Sequence, residues 1–228
     1  MCMCVWTMQR RAPLPRQSPP LLLLLLLASA AAAAAGVTLL VLAVLFVGAH
    51  AGVSGAHLLR DPAASFGYPA YGGALSHLGV ALLGATAVAA AFAATLCPGR
   101  RAVLVMAAVL SSAIAADDLF MVHERIGPTE FGIPEEAFLL IYGAMGLVLL
   151  VLLFRAPESQ YNGTIFIPIA LMVTSALVDL MSQATIISIP VIEDLFKIAG
   201  YGAWFAFWWL RSVQVVRSGD DVVSINPR

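Results

Sequence analysis

The sequence predicts an all-α, polytopic transmembrane bundle of about six helices with both termini cytoplasmic, and three observations carry that expectation. Of the 228 residues, 61% are hydrophobic and only 11% charged, against the roughly 25% charge that soluble domains use to cover a water-facing surface. The apolar residues fall into separate runs, each near the ~20 residues that cross ~30 Å of hydrocarbon. Arginines gather in alternate connections between those runs, as expected when basic residues resist translocation. The net charge of −1 and a pI near 6.4 give no electrostatic footprint for nucleic acid, so none is expected as a partner. Cys2, Cys4 and Cys97 cannot make a disulfide framework, and Met1-Cys2-Met3-Cys4 lacks the C-x-x-C spacing of a structural zinc site.

Residues 1–20 hold Arg10, Arg11, Arg16 and four prolines but no acid, the first being Asp61. They are expected to form a disordered basic tail or a targeting segment. The leucines of 21–27 followed by Ala28-Ser29-Ala30 fit a signal-peptide core with a small-residue cleavage site, and equally a low-complexity extension of the first helix. As one helix, residues 21–59 would be roughly 58 Å long, so only a part, 37–57, is expected to span. Further spans are expected at 74–96, 102–122, 136–154, 164–185 and 191–213. Residues 21–216 then form one transmembrane domain, and 217–228 a polar tail.

Orientation follows from the basic residues. Arg10, Arg11, Arg16, Arg100, Arg101, Arg155, Arg211, Arg217 and Arg228 fall on one side, and Arg60, Arg125 and Lys197 on the other, which favours cytoplasmic termini and an uncleaved first helix. Asn162-Gly163-Thr164 matches a glycosylation sequon but abuts the membrane on the cytoplasmic side and reads as a turn. In this orientation His50, His57, His77 and His123 all lie toward the outer side, with ten of the thirteen acids.

Asp117 and Asp118 stand out, because an acid at this depth costs roughly 2.5–3.5 kcal/mol to insert. On a continuous helix Asp117 shares a face with Glu124, and Asp118 with Ser111 and Arg125, while His123 points elsewhere. No single ligand stripe results, and Asp118 with Arg125 could be a plain ion pair. In the fifth span Asp179 shares a face with Ser175, Ser182 and Gln183. Pro134-Glu135-Glu136 opens the fourth span, where fixed φ and the positive dipole end explain the residue types. Pro190 similarly precedes Glu193 and Asp194, but these neighbour Lys197, the only lysine in the chain, which is spaced to pair with either. Its face continues through Tyr201, Trp204 and Trp208, with Gly200 and Gly202 permitting close helix approach. Trp208 and Trp209 before Arg211 suit an interfacial aromatic belt with a basic anchor.

Spans 3–4 can be laid over spans 5–6. Asp118-Leu119 then falls on Asp179-Leu180, Ile133-Pro134 on Ile189-Pro190, and Tyr142-Gly143-Ala144 on Tyr201-Gly202-Ala203. Such a parallel hairpin repeat would turn Asp118 and Asp179 toward one another. The bland counter-reading is that transmembrane hairpins commonly share Pro and acids at helix starts.

Family patterns narrow the field. Ser76-His77 are adjacent and His-x-x-x-His is absent, so the alkaline ceramidase pattern fails, and the rhomboid Gly-x-Ser-x-Gly is missing. Glu193-x-x-x-Lys197 with following Gly and aromatics looks similar to the Schiff-base helix of microbial rhodopsins in that segment alone, without a seventh span or a matching third helix.

Three function classes follow. The leading expectation is a transporter or channel-like protein for protons, metal cations or a small cationic solute. Asp117, Asp118 and Asp179 would form its intramembrane acidic site, with Glu193, Asp194 and Lys197 coupled at the outer mouth. The second is a membrane-embedded, hydrolase-like enzyme in which His77, His123 and Glu124 help these acids hold a divalent metal. The third is a structural or assembly subunit. The expected partners are the lipid bilayer and a small cation or proton, and a homo-oligomer is left open.

Overall fold

The computed structural model describes residues 19–55, 58, 66–69, 71–155, 162–184 and 190–219. Among them helices and turns occur and strands do not. The helices are α1 (Pro19–His50), α2 (Ala74–Leu96), α3 (Arg101–Phe120), α4 (Glu135–Arg155), α5 (Phe166–Ala184) and α6 (Pro190–Gly219). Short 3-10 turns, Pro98–Arg100 and Asn162–Ile165, lead into α3 and α5. A ten-residue π-helical segment, Val122–Phe131, separates α3 from α4. Of the two expected tails, residues 1–18 and 220–228 lie outside the described residues, and α6 continues to Gly219.

The chain divides into two units at Gly72–Gly73. The first contains α1, 32 residues long and thus about 48 Å. Its helix ends at His50, earlier than the expected 57, because Gly52 turns left-handed at φ 73 and the N–H of Val53 reaches back to the carbonyl of Gly48 at 2.8 Å. His50 Nδ1 lies 2.9 Å from the carbonyl oxygen of Phe46, and His57 is outside the described residues.

The second unit is the bundle α2–α6. Four segments of it are long and apolar enough to cross a membrane, Ala74–Leu96, Pro98–Phe120, Glu135–Arg155 and Asn162–Met181, as befits a membrane protein. Helix α6 is longer but carries Glu193, Asp194, Lys197, Arg211 and Arg217. The apolar part of α1, Ala34–His50, is shorter.

Helix α2 is the centre of the packing, lying against α3 on one side and α6 on the other, with α4 beyond α3 and α5 beyond α6. Small residues make this close approach feasible. Ala87, Ala90, Ala93 and Ala94 of α2 and Ala107, Ala108 and Ala115 of α3 are buried, alongside Leu83, Leu104 and Leu110. Helix α6 supplies bulk in return through Tyr201, Trp204 and Trp208, all buried. Of the residues expected to form a belt, Trp209 is 50% exposed, whereas Trp208 and Arg211 turn inward and are buried. Their positions one turn apart on the Tyr201–Trp204 face account for this.

Two glycines permit the crossings. A Cβ on Gly79 would come within 2.9 Å of the Tyr201 ring. On Gly200 it would meet the Met172 side chain at 2.7 Å and the Met172 backbone nitrogen at 3.2 Å, a contact that no rotamer change relieves. Gly202, expected to serve similarly, faces open space. Gly200→Leu is expected to force α5 from α6 and cost about 1–3 kcal/mol of overpacking, lowering the unfolding temperature followed by tryptophan fluorescence in detergent. Gly202→Ala should leave it nearly unchanged.

Candidate functional site

Helix α3 stops at Phe120 because Met121 adopts the left-handed conformation, φ 50 and ψ 48, with its N–H on the carbonyl of Asp117. It is the one non-glycine residue with positive φ among those described, and that conformation costs an L-residue roughly 1–2 kcal/mol. Beyond it the backbone widens, with the N–H of Ile126 reaching the carbonyl of Met121 at 3.1 Å. The effect is to fold His123 back onto the helix end.

Asp117, 4% exposed, accepts from the backbone N–H of His123 at 2.7 Å through Oδ1 and from His123 Nδ1 at 2.6 Å through Oδ2. A carboxylate only accepts, so Nδ1 carries the proton. Tyr142 of α4 lines the same cavity as Asp117. The face assignment made for a continuous helix is thereby corrected: His123, not Glu124, is the partner of Asp117, because the helix ends before either residue. Glu124 is exposed, with Oε1 3.6 Å from His123 Nε2, and Glu135 stands 4.0 Å from the same nitrogen.

Asp118 points the other way round the helix, as neighbours about 100° apart must. Its Oδ1 is 3.1 Å from Lys197 Nζ, and its Oδ2 accepts from the Tyr201 hydroxyl at 2.9 Å. Its side chain is 6% exposed and that of Lys197 27%. Lys197 thus crosses from α6 to α3, although Glu193 and Asp194 were the expected partners; its direction is that of the buried Tyr201 face, whereas Asp194 is exposed. Arg125, the alternative partner for Asp118, is exposed too.

Each aspartate of the adjacent pair therefore holds one basic group, and Asp118 a tyrosine hydroxyl as well. Both border a cavity of about 170 Å³ between the ends of α3, α4, α5 and α6. Glu124, Glu135, Glu136, Asp179 and Glu193 line it as well, and Ile114, Leu139, Met172 and Leu180 form apolar wall. Seven carboxylates thus face Lys197 and His123. Ser175 also lines the cavity and donates to the Glu193 carbonyl at 3.0 Å, fastening α5 to α6. The side chains of Ser182 and Gln183 lie outside the described residues.

The cavity brings together Asp117, Asp118, Asp179, Glu193, Lys197, His123 and Glu124 from the sequence expectation. It does not include Asp194 or His77, which is exposed in the first turn of α2. Among the described residues no group of three or more His, Cys, Asp or Glu is arranged to hold a metal. Tyr142 was the residue that sequence reasoning missed, although its overlay on Tyr201 was a signal. Glu135 and Glu136, explained by their helix-start position alone, turn out to line the cavity.

Outside the spanning helices the electrostatics have a plain sign. The Asp117 carboxylate on Nδ1 raises the His123 imidazole above its usual range against the opposing pull of burial, and Glu124 and Glu135 add in the same direction. A raised folded-state value gives stability that is complete below the unfolded value of 6.5 and is lost as pH climbs through the raised one. The unfolding temperature in detergent is expected to fall as pH rises above 6.5. His123→Gln should remove that part of the dependence, and melts of both proteins across a pH series check it; an unaltered slope in the variant would contradict the pairing.

A domain family described as a domain of unknown function (DUF8692) matches residues 34–210, and the chain belongs to that family. No curated protein and no solved structure matches it.

Proposed function

We propose that this family member is a multi-pass membrane protein that takes up and passes protons at the cavity, as a proton-conducting or proton-coupled transporter. The reading is carried by one observation: two adjacent, buried aspartates on a membrane-crossing helix, one bonded to His123 and the other to Lys197 and Tyr201, border a shared cavity.

Size supports a proton over an organic solute. At about 170 Å³ the cavity has room for several waters but lies below the ~300–1,000 Å³ typical of small-molecule pockets. Occupancy supports a proton over a metal ion, because a metal reaching Asp117 or Asp118 would have to displace His123 or Lys197. A proton arriving at Asp118 instead weakens its hold on Lys197 without new ligands. Asp179 and Glu193 both face the cavity close enough to interact through their charges, and such carboxylates titrate as a coupled set that shares protons.

In this reading all six helices cross the bilayer with cytoplasmic termini. Arg100, Arg101 and Arg155 then mark the cytoplasmic end and the cavity opens at the other, consistent with the positive-inside bias.

Proteoliposomes enclosing a pH-sensitive dye, driven by a potassium diffusion potential, provide the assay. Asp118→Asn is expected to abolish proton flux. That substitution also leaves Lys197 without its counter-ion, which costs up to about 3–5 kcal/mol for a buried pair and less for its solvent-facing part. Asp118→Asn combined with Lys197→Met removes this penalty, and should restore the unfolding temperature without restoring flux. Normal flux in either folded variant would refute the reading.

A further inference from the structure

The polar network does not end at the cavity floor. Lys197, Tyr201, Trp204, Trp208 and Ser212 recur every three or four positions along α6, so they share one face, and the last four are buried in the bundle. The upper members are satisfied. Tyr201 donates to Asp118 at 2.9 Å, and Trp204 Nε1 donates to Ser111 Oγ at 2.9 Å within the core.

One turn further the pattern changes. Trp208 is 0% exposed, and its indole N–H has no hydrogen-bond partner among the described residues. The same holds for Ser212 Oγ and for Asn162 Oδ1, in side chains only 5% and 6% exposed. The turn Asn162–Ile165 packs against α6, and Asn162 spends its amide on the Leu153 carbonyl at 3.1 Å. These groups lie at the end of the bundle remote from the cavity, where Cys97 Sγ donates to the Val215 carbonyl at 3.4 Å and ties the end of α2 to α6.

A buried donor or acceptor left unmade costs about 1–3 kcal/mol, and three gathered at one end of a tightly packed bundle point to water as the missing partner.

We infer that buried water occupies the inward face of α6 beside Trp208 and Ser212, prolonging the outer network through the core as a hydrogen-bonded column along which a proton can pass. An indole N–H only donates, so Trp208 relays nothing itself. It is a positioning residue that fixes the orientation of a water by donating to its lone pair, leaving both protons of that water directed onward. The hydroxyls of Ser111 and Ser212, which donate and accept, and the waters are the relaying groups. The hydration stands on the geometry alone, whereas its use by protons rests on the function proposed above.

The experiment separates the two. Protein with ¹⁵N-labelled indole, reconstituted in bilayers, is examined by water-edited solid-state NMR, with the Trp208 resonance assigned by its loss in Trp208→Phe. Magnetisation is expected to pass from water to the Trp208 N–H about as fast as to the exposed Trp209; a Trp208 signal that receives none overturns the column. In the proteoliposome assay, Trp208→Phe, which keeps an aromatic ring but removes the N–H, is expected to lower proton flux about tenfold, the scale of one lost hydrogen bond. Ser212→Ala, the smaller change, should do likewise if Trp208→Phe folds poorly. Unchanged flux in a folded variant overturns the route through Trp208. A hydrated Trp208 in a wild-type protein that passes no protons upholds the column and defeats the transport reading, and a dry Trp208 in a conducting protein does the reverse.

Discussion

The ion pair between Asp118 and Lys197 is the contact on which the upper half of the bundle depends. Withdrawing two charges from water is expensive, and the expense is offset only when the geometry is close and the remaining valences are filled. Here the second carboxylate oxygen is filled by Tyr201, which reaches Asp118 from one turn below Lys197 on the same helix. That tyrosine in turn needs the missing side chain of Gly79 behind it. A single electrostatic requirement thus extends from α3 through α6 to α2, and the site and the packing cannot be altered independently.

Helix positions were legible from the sequence because the bilayer imposes a length. The ends of α2, α4 and α5 lie within about two residues of where ~20-residue runs place them. That Asp117 and Asp118 would be held by partners was legible for a related reason, since acids at such depth are rarely left unpaired. The partners of these residues were not. Helical spacing describes neighbours on one helix, so it offered Glu193 or Asp194 to Lys197, while the structure gives it an acid from a helix far away in the chain. The misplacement of His123 has a different origin. It followed from extending α3 through Met121, where neither Gly nor Pro advertises the left-handed turn that ends the helix. Trp208 fitted two readings, the packing face of Tyr201 and Trp204 and an interfacial belt with Trp209 and Arg211, and its burial bears out the first.

The internal overlay of spans 3–4 on 5–6 gains some interest from the tyrosines. Tyr142 and Tyr201, aligned by that overlay, both line the cavity that the aspartate pair borders. Asp118 and Asp179 border the same cavity, while Asp118 is bonded to Lys197 and Tyr201. Shared residue types at helix starts explain the alignment of prolines and acids equally well.

Because Asp117 and Asp118 are consecutive, one peptide unit joins two fasteners that grip different walls. Asp117 holds the α3–α4 connection through His123, while Asp118 holds α6 through Lys197 and Tyr201. The last turn of α3 is therefore built like a central post with two separate catches, one for each wall.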